Sequence, residues 1–435
     1  MPVLNKEENT RLLLYTRFYS DPVFAEMIRI AEDKYESLAA RSDALYSCAS
    51  QLIAWAEEYG FCGNLPGLYI SWLLVNDKNV FSLAAEQTAD IEGTLESVGI
   101  NDLENLADII CHPWGGEICL FGARPFKMLE DYTPVVKKRP HDAETIAAIQ
   151  RLGASLAVAS TGSSMYQQVI AFYNKYGVGE FLLYRAFRWC QESKSVVPIK
   201  HTEPILLSDI IGCEEQKNEL CRNTEAFLSG AHANNVLLYG DSGTGKTSSI
   251  KAILNEYYAQ GLRMIEVARN QYEGLPDMIH RLRDRKYSFI LLFDDLSFED
   301  FETEYKQLKG VIEGGLEMKP QNMLIYATSN RRHLIRESWK DRTLSEEDVH
   351  HSDTLEEKLS LVNRFGITLR YYHPTKDEYL EIISDLSHRY CPELPLEEVH
   401  REALKWESHH AGFTGRNARQ FWDAFMAEKK IKGDL

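Results

Sequence analysis

Residues 235–247 read Asn235-Val236-Leu237-Leu238-Tyr239-Gly240-Asp241-Ser242-Gly243-Thr244-Gly245-Lys246-Thr247. An apolar run with the length of a buried strand leads directly into the pattern G-x-x-x-x-G-K-[ST], matched without a mismatch. Glycines let a backbone curl until successive N–H groups point inward, and such a concave row of donors binds phosphate oxygens. The helical pattern that begins at about Lys246 would bring the positive end of its dipole to the same spot. The expectation is a triphosphate site with ATP and Mg²⁺ as its ligands. Gly240, Asp241, Ser242, Gly243, Thr244 and Gly245 form the cradle, Lys246 reaches the β- and γ-phosphates, Thr247 offers its hydroxyl to Mg²⁺, and Ser248 follows in the same turn.

Downstream, residues 289–293 (Phe-Ile-Leu-Leu-Phe) form a second apolar run that ends in Asp294-Asp295. A carboxylate at a strand end beside a phosphate loop is where Mg²⁺ finds an oxygen partner, which selects Asp294. Asp295 is then placed to orient or deprotonate an attacking water. The residues 235–239, 263–267, 287–293, 322–328 and 367–372 all read as buried strands alternating with helical stretches, which argues for a parallel sheet. From Thr375 onward only helical periodicity remains, over 376–388 and 396–408.

Upstream, apolar residues recur at helical spacing over 12–18, 24–35, 44–56, 143–159 and 165–173, with Gly/Pro breaks at 63–67 and 112–116. The segment 193–198, with Pro204 after it, reads as a linker. The expected division is a mostly helical N-terminal domain over 1–194, an α/β parallel-sheet nucleotide core over 195–374 and a helical lid over 375–435.

The balance of 48 Lys and Arg against 65 Asp and Glu gives a net charge of −17 in 435 residues. A surface of that sign does not coat nucleic acid non-specifically, so a nucleic-acid partner would need a local basic face. The apolar runs at 70–75 and 289–293 are far too short for a bilayer, and the first twenty residues lack a basic start followed by an apolar core. No membrane association and a cytoplasmic location are expected. The eight cysteines include no CxxC pair, and Cys111-His112 with Cys119 lacks a second ligand pair, so they read as reduced packing residues. His112 and His141 read as ordinary histidines.

Further motifs follow in a fixed order. Residues 325–331 (Ile-Tyr-Ala-Thr-Ser-Asn-Arg), Asn363-Arg364-Phe365-Gly366, Gly415-Arg416-Asn417-Ala418-Arg419 and, ahead of the phosphate loop, Asp209-Ile210-Ile211-Gly212 together resemble the AAA+ P-loop ATPase superfamily. The resemblance implies a five-stranded sheet with a helical lid, ATP hydrolysis, and assembly into a homo-oligomer. It makes Asn330 the sensor near the γ-phosphate and Arg364 a finger aimed at a neighbouring subunit's ATP. Arg419 is the first lid-arginine candidate and Arg416 the second, while Ile211 and Gly212 line the adenine. More narrowly, Asp294-Asp295-Leu296-Ser297-Phe298-Glu299 and residues 327–334 resemble the family called domain of unknown function 815.

One departure concerns the water-activating position, where many AAA+ enzymes carry Glu and this chain has Asp295; Glu299, four residues later, is the substitute base to consider. The charged segment 336–357 reads as a solvated loop, with a partner-contacting insertion as the alternative, and Arg281, Arg283, Arg285 and Lys286 read as a solvated helix face rather than a nucleic-acid contact. Two functional classes follow. One is an ATPase that remodels or loads an unknown macromolecular partner. The other is a slow ATP-gated switch whose helical N-terminal part recognises a protein. A metabolic kinase is disfavoured, because the sensor and finger motifs would have no role in it.

Overall fold

The computed structural model describes residues 11–32, 34–110, 128–135, 142–159, 161–296, 310, 320–330, 362–410 and 412–432. Its packing divides into two units: Met1–Tyr184 together with Asp284–Lys286, and Arg185–Arg283 together with Tyr287–Leu435. Among the described residues no helix is long and apolar enough to cross a membrane.

The first unit is helical: α1 (Pro22–Ala31), α2 (Leu38–Tyr59), α3 (Leu65–Asn76), α4 (Val80–Gln87), α5 (Thr94–Ile110), α6 (Ala143–Val158) and α7 (Gly162–Tyr176). Local chemistry sets the ends. Asp21 caps α1 by accepting the Phe24 N–H at 2.9 Å, with Pro22 in the first turn, and Gly60 ends α2 in the left-handed region. The helices close over fully buried Tyr15, Phe24, Phe61, Phe81 and Tyr173. Three sequence expectations change here. The stretch 12–18 is not an α-helix, because buried Asp102 accepts the N–H groups of Leu13 and Leu14, leaving only a 3₁₀ turn at Thr16–Ser20. The break expected at 63–67 ends at Asn64, since Pro66 and Gly67 sit inside the first turns of α3. Arg285, read as solvated, instead grips the buried Glu86 through two 2.8 Å bonds and donates to the Val178 carbonyl at 2.8 Å. A paired and hydrogen-bonded position is how a charge is tolerated there.

The second unit carries the sheet, of order β2-β1-β4-β5-β6-β3-β7. Its strands are β1 (Ala186–Cys190), β2 (Ser195–Pro198), β3 (Val236–Gly240), β4 (Leu262–Glu266), β5 (Ser288–Phe293), β6 (Met323–Ser329) and β7 (Ile367–Tyr371). The five from β4 to β7 in that order are mutually parallel, as the sequence implied. Among the described residues the sheet has seven strands where the resemblance implied five, because β1 adds parallel to β4 and β2 pairs antiparallel with β1. Ser195–Pro198, read as linker, is therefore an edge strand. The signal for β1 lay in its alternation: Phe187 and Trp189 are buried while Arg188 points outward to Glu266 at 2.8 Å. Along β6 all seven residues are buried, which a strand achieves only with both faces covered. Helices α8 (Glu214–Leu228), α9 (Lys246–Tyr257) and α10 (Leu275–Leu282) supply much of that cover, with Leu220, Phe227, Ile250 and Ile253 packed on Val236, Leu238, Ile290 and Leu324. Helices α11 (Lys376–Tyr390), α12 (Leu396–Ser408) and α13 (Gly415–Lys432) form a separate core around Tyr379, Ile383, Val399, Phe421 and Trp422.

Candidate functional site

The sheet order makes β5, β6 and β3 consecutive neighbours, and all three run the same way. The loop 240–245, the pair Asp294-Asp295 and Asn330 each follow one of these strands, so parallel pairing alone delivers them to one edge of the sheet. At Gly240 the loop leaves β3 with φ 145°, and a Cβ there would lie 2.1 Å from the Tyr371 carbonyl oxygen, so only glycine fits. Thr244 closes the curl by donating to the Asp241 carbonyl at 2.8 Å, and the chain enters α9 through Gly245.

Buried Lys246 occupies the centre. Its amine donates to the carbonyls of Gly240 (2.7 Å) and Asp241 (2.6 Å) and to Asn330 Oδ1 (3.1 Å). Burial pushes its pKa down, opposed by the carboxylates of Asp241, Asp295 and Asp294. Asn330 turns its other end outward and donates from Nδ2 to Asp295 Oδ1 at 2.7 Å. Beside them Thr247 donates its hydroxyl to Asp294 Oδ1 at 2.6 Å. Lys246, Thr247, Asp294, Asp295 and Asn330 thus form one connected polar cluster. Ser248, half-buried, lies one residue further along α9.

The donor chemistry fits Mg²⁺: a hydroxyl and a carboxylate, both hard oxygens, lie in contact next to the phosphate loop. No group of three or more His, Cys, Asp or Glu side chains is placed for a metal among the described residues, and Mg²⁺ does not need one, since it takes one or two protein oxygens together with substrate phosphates.

The lid approaches the loop from the start of α13. Gly415 N–H donates to the Gly243 carbonyl at 3.1 Å, and Arg416 Nη1 donates to Ser242 Oγ at 3.3 Å. Arg419, the first candidate from the resemblance, makes other contacts: its guanidinium lies over the Tyr390 ring and pairs with Asp423. Residues three apart share a helix face, so it is these two contacts, one turn further along α13, that draw the Arg419 side chain to α11. Ile211 and Gly212 are half-buried ahead of α8; Ile210 accepts from Lys217 at 2.7 Å, and Asp209 pairs with Arg389 of α11. Arg364 is not in the cluster. It is exposed in the turn before β7, and since Tyr371, not Ile367, pairs with Gly240, it lies beyond the far end of the strand. Residues that sequence reasoning did not single out are Thr328, whose hydroxyl donates to Asp294 Oδ1 at 2.6 Å, and His373, 3.2 Å from the Asp241 carboxylate. Glu299, the segment 336–357, Cys111, His112, Cys119 and His141 lie outside the described residues.

The model of the family described as "Protein of unknown function (DUF815)" matches residues 183–429, more than half of the chain. The chain belongs to this family. No curated protein matches this DUF815 chain. Among solved structures it is similar to the RuvB Holliday-junction branch-migration motor of Thermotoga maritima, with 17% identity and a TM-score of 0.38 over 53% of this chain and 67% of that one. It is also similar to PCH-2 of C. elegans, with 18% identity and a TM-score of 0.34 over 49% of this chain and 63% of that one. The DUF815 chain joins a mostly parallel sheet, a glycine-rich loop of the phosphate-binding pattern and a C-terminal group of helices.

Proposed function

We propose that the DUF815 chain hydrolyses ATP at this site and uses the cycle to remodel or load a macromolecular partner. The observation that carries the reading is the unbroken hydrogen-bonded path from Lys246 through Asn330 to Asp295, beside Thr247 on Asp294. It links the amine that would bind phosphate to the carboxylate that would serve as general base. The loop N–H groups and Lys246 would hold the β- and γ-phosphates, and Arg416 would reach the same loop from the lid. Asp295 would take a proton as a water oxygen attacks the γ-phosphorus, and the bond to the β-phosphate oxygen would break to release ADP. When bound, Mg²⁺ would neutralise phosphate charge, held by Thr247 and Asp294. Such a reaction proceeds by positioning and charge stabilisation, with no covalent intermediate on the protein.

Arg364 supports assembly as a homo-oligomer. From its place in the turn before β7 it is separated from its own phosphate loop by at least the length of that strand, about 13 Å at roughly 3.3 Å per residue. Its guanidinium suits a neighbouring subunit's ATP instead. The helical N-terminal part would then recognise the partner. A slow ATP-gated switch is the second reading, favoured by the shorter Asp295 at the place of a glutamate.

The test is Asp295→Asn. It keeps ATP affinity within about threefold and loses steady-state hydrolysis, because an amide cannot accept the proton. Normal turnover in Asp295→Asn alongside lost turnover in Glu299→Gln would move the base to Glu299.

A further inference from the structure

Thr328 is buried on β6 at 2% exposure, and a hydroxyl in that position needs partners. It has two, both on the loop that leaves β5. Its Oγ1 donates to Asp294 Oδ1 at 2.6 Å and accepts the N–H of Asp295 at 2.9 Å. The Thr328 carbonyl accepts the N–H of the next residue, Leu296, at 2.7 Å. One residue therefore fixes three successive positions of the neighbouring strand's exit. The middle one, Asp295, has φ 53°, a left-handed conformation uncommon outside glycine that aspartate tolerates better than most residues.

Two hydroxyls converge on Asp294 Oδ1, from Thr247 and from Thr328. Thr247 belongs to the phosphate loop and is the group that would turn to Mg²⁺. Thr328 belongs to the sheet, so its bond orients Asp294 independently of the loop. Through the Asp295 N–H it also sets where the Asp295 carboxylate stands, which Asn330 then receives.

We propose that Thr328 is a positioning residue whose hydroxyl aligns both acidic residues, Asp294 for Mg²⁺–ATP binding and Asp295 for water activation. The second half of this assignment rests on the hydrolytic reading above; the first does not. Valine has the shape of threonine without the hydroxyl, and serine keeps the hydroxyl without the methyl group.

The experiment compares wild type, Thr328→Val and Thr328→Ser by calorimetric ATP titration with Mg²⁺ and with EDTA, and by steady-state ATP turnover against Mg²⁺ concentration. A hydrogen bond to a charged group corresponds to about a tenfold change or more. Thr328→Val should keep wild-type affinity in EDTA and lose roughly tenfold in the Mg²⁺-dependent gain of affinity. Its turnover should fall about ten- to a hundredfold. Thr328→Ser should restore both to within about threefold. If the valine variant does not fold, Thr328→Ala takes its place, with the serine comparison unchanged. A valine variant with the full Mg²⁺-dependent gain overturns the assignment, as does a serine variant that behaves like valine. If wild type gains affinity from Mg²⁺ but does not turn over, the hydrolytic reading fails, and the binding arm still decides the role of Thr328.

Discussion

Asn330 has a side chain with a donor at one end and an acceptor at the other, and the fold uses both, on Asp295 and on Lys246. That two-ended use is why Asn suits the position; in the sequence it stood out only through the resemblance carried by residues 325–331. The lid arginine was harder to nominate, because Arg416 and Arg419 are three residues apart on α13 and share a basic sequence context. Geometry separates them: Arg416 reaches Ser242, whereas Arg419 lies on Tyr390 and pairs with Asp423. Arg416→Ala should lower ATP affinity or turnover by about tenfold, the value of one lost charge-assisted contact. Arg419→Ala should leave both within about threefold, and its exposed pair should matter little to stability. Parallel titrations of the two variants check this, and a larger effect from Arg419→Ala would reverse the assignment.

Among the elements, the strand that feeds the phosphate loop was plain in sequence, since the four apolar residues Val236, Leu237, Leu238 and Tyr239 followed by the glycine pattern leave little freedom of register. The same holds for β5, where a buried run stops abruptly at two carboxylates, and for α11 and α12, whose apolar spacing is helical throughout. The first two strands of the sheet were not read. Their clue is a period of two over only a few residues, and Ser193, Ser195 and Pro198 resemble linker composition. The 3₁₀ turn at Thr16–Ser20 was missed for another reason: its competitor, Asp102, lies 89 residues away from Leu13. Thr328 was hidden likewise, because a threonine in an apolar strand looks like a β-former until its hydroxyl is seen on Asp294. Long-range polar bonds of this kind leave no local pattern.

For the whole molecule, placing Arg364 before β7 separates it from its own site and predicts a shared one. Fingers supplied in trans are worth about 10³ or more in rate. Hydrolysis per subunit should therefore rise with protein concentration, and Arg364→Ala should bind ATP normally but stay slow at every concentration. Mixing it with Lys246→Ala should restore part of the activity once subunit exchange is shown, since mixed sites join an intact loop to an intact finger. Concentration-independent activity in a protein that sediments as a monomer with ATP bound would make Arg364 a structural charge. All of this stands on one claim, that the loop around Lys246 holds the phosphates of ATP. Calorimetric titration of ATP with Mg²⁺ into wild type and into Lys246→Ala measures that claim directly, with melting curves to show that the variant is folded. Loss of the amine's contacts, worth roughly 1.5–3 kcal/mol, should weaken binding about ten- to a hundredfold. Equal affinity in the two folded proteins would contradict the site.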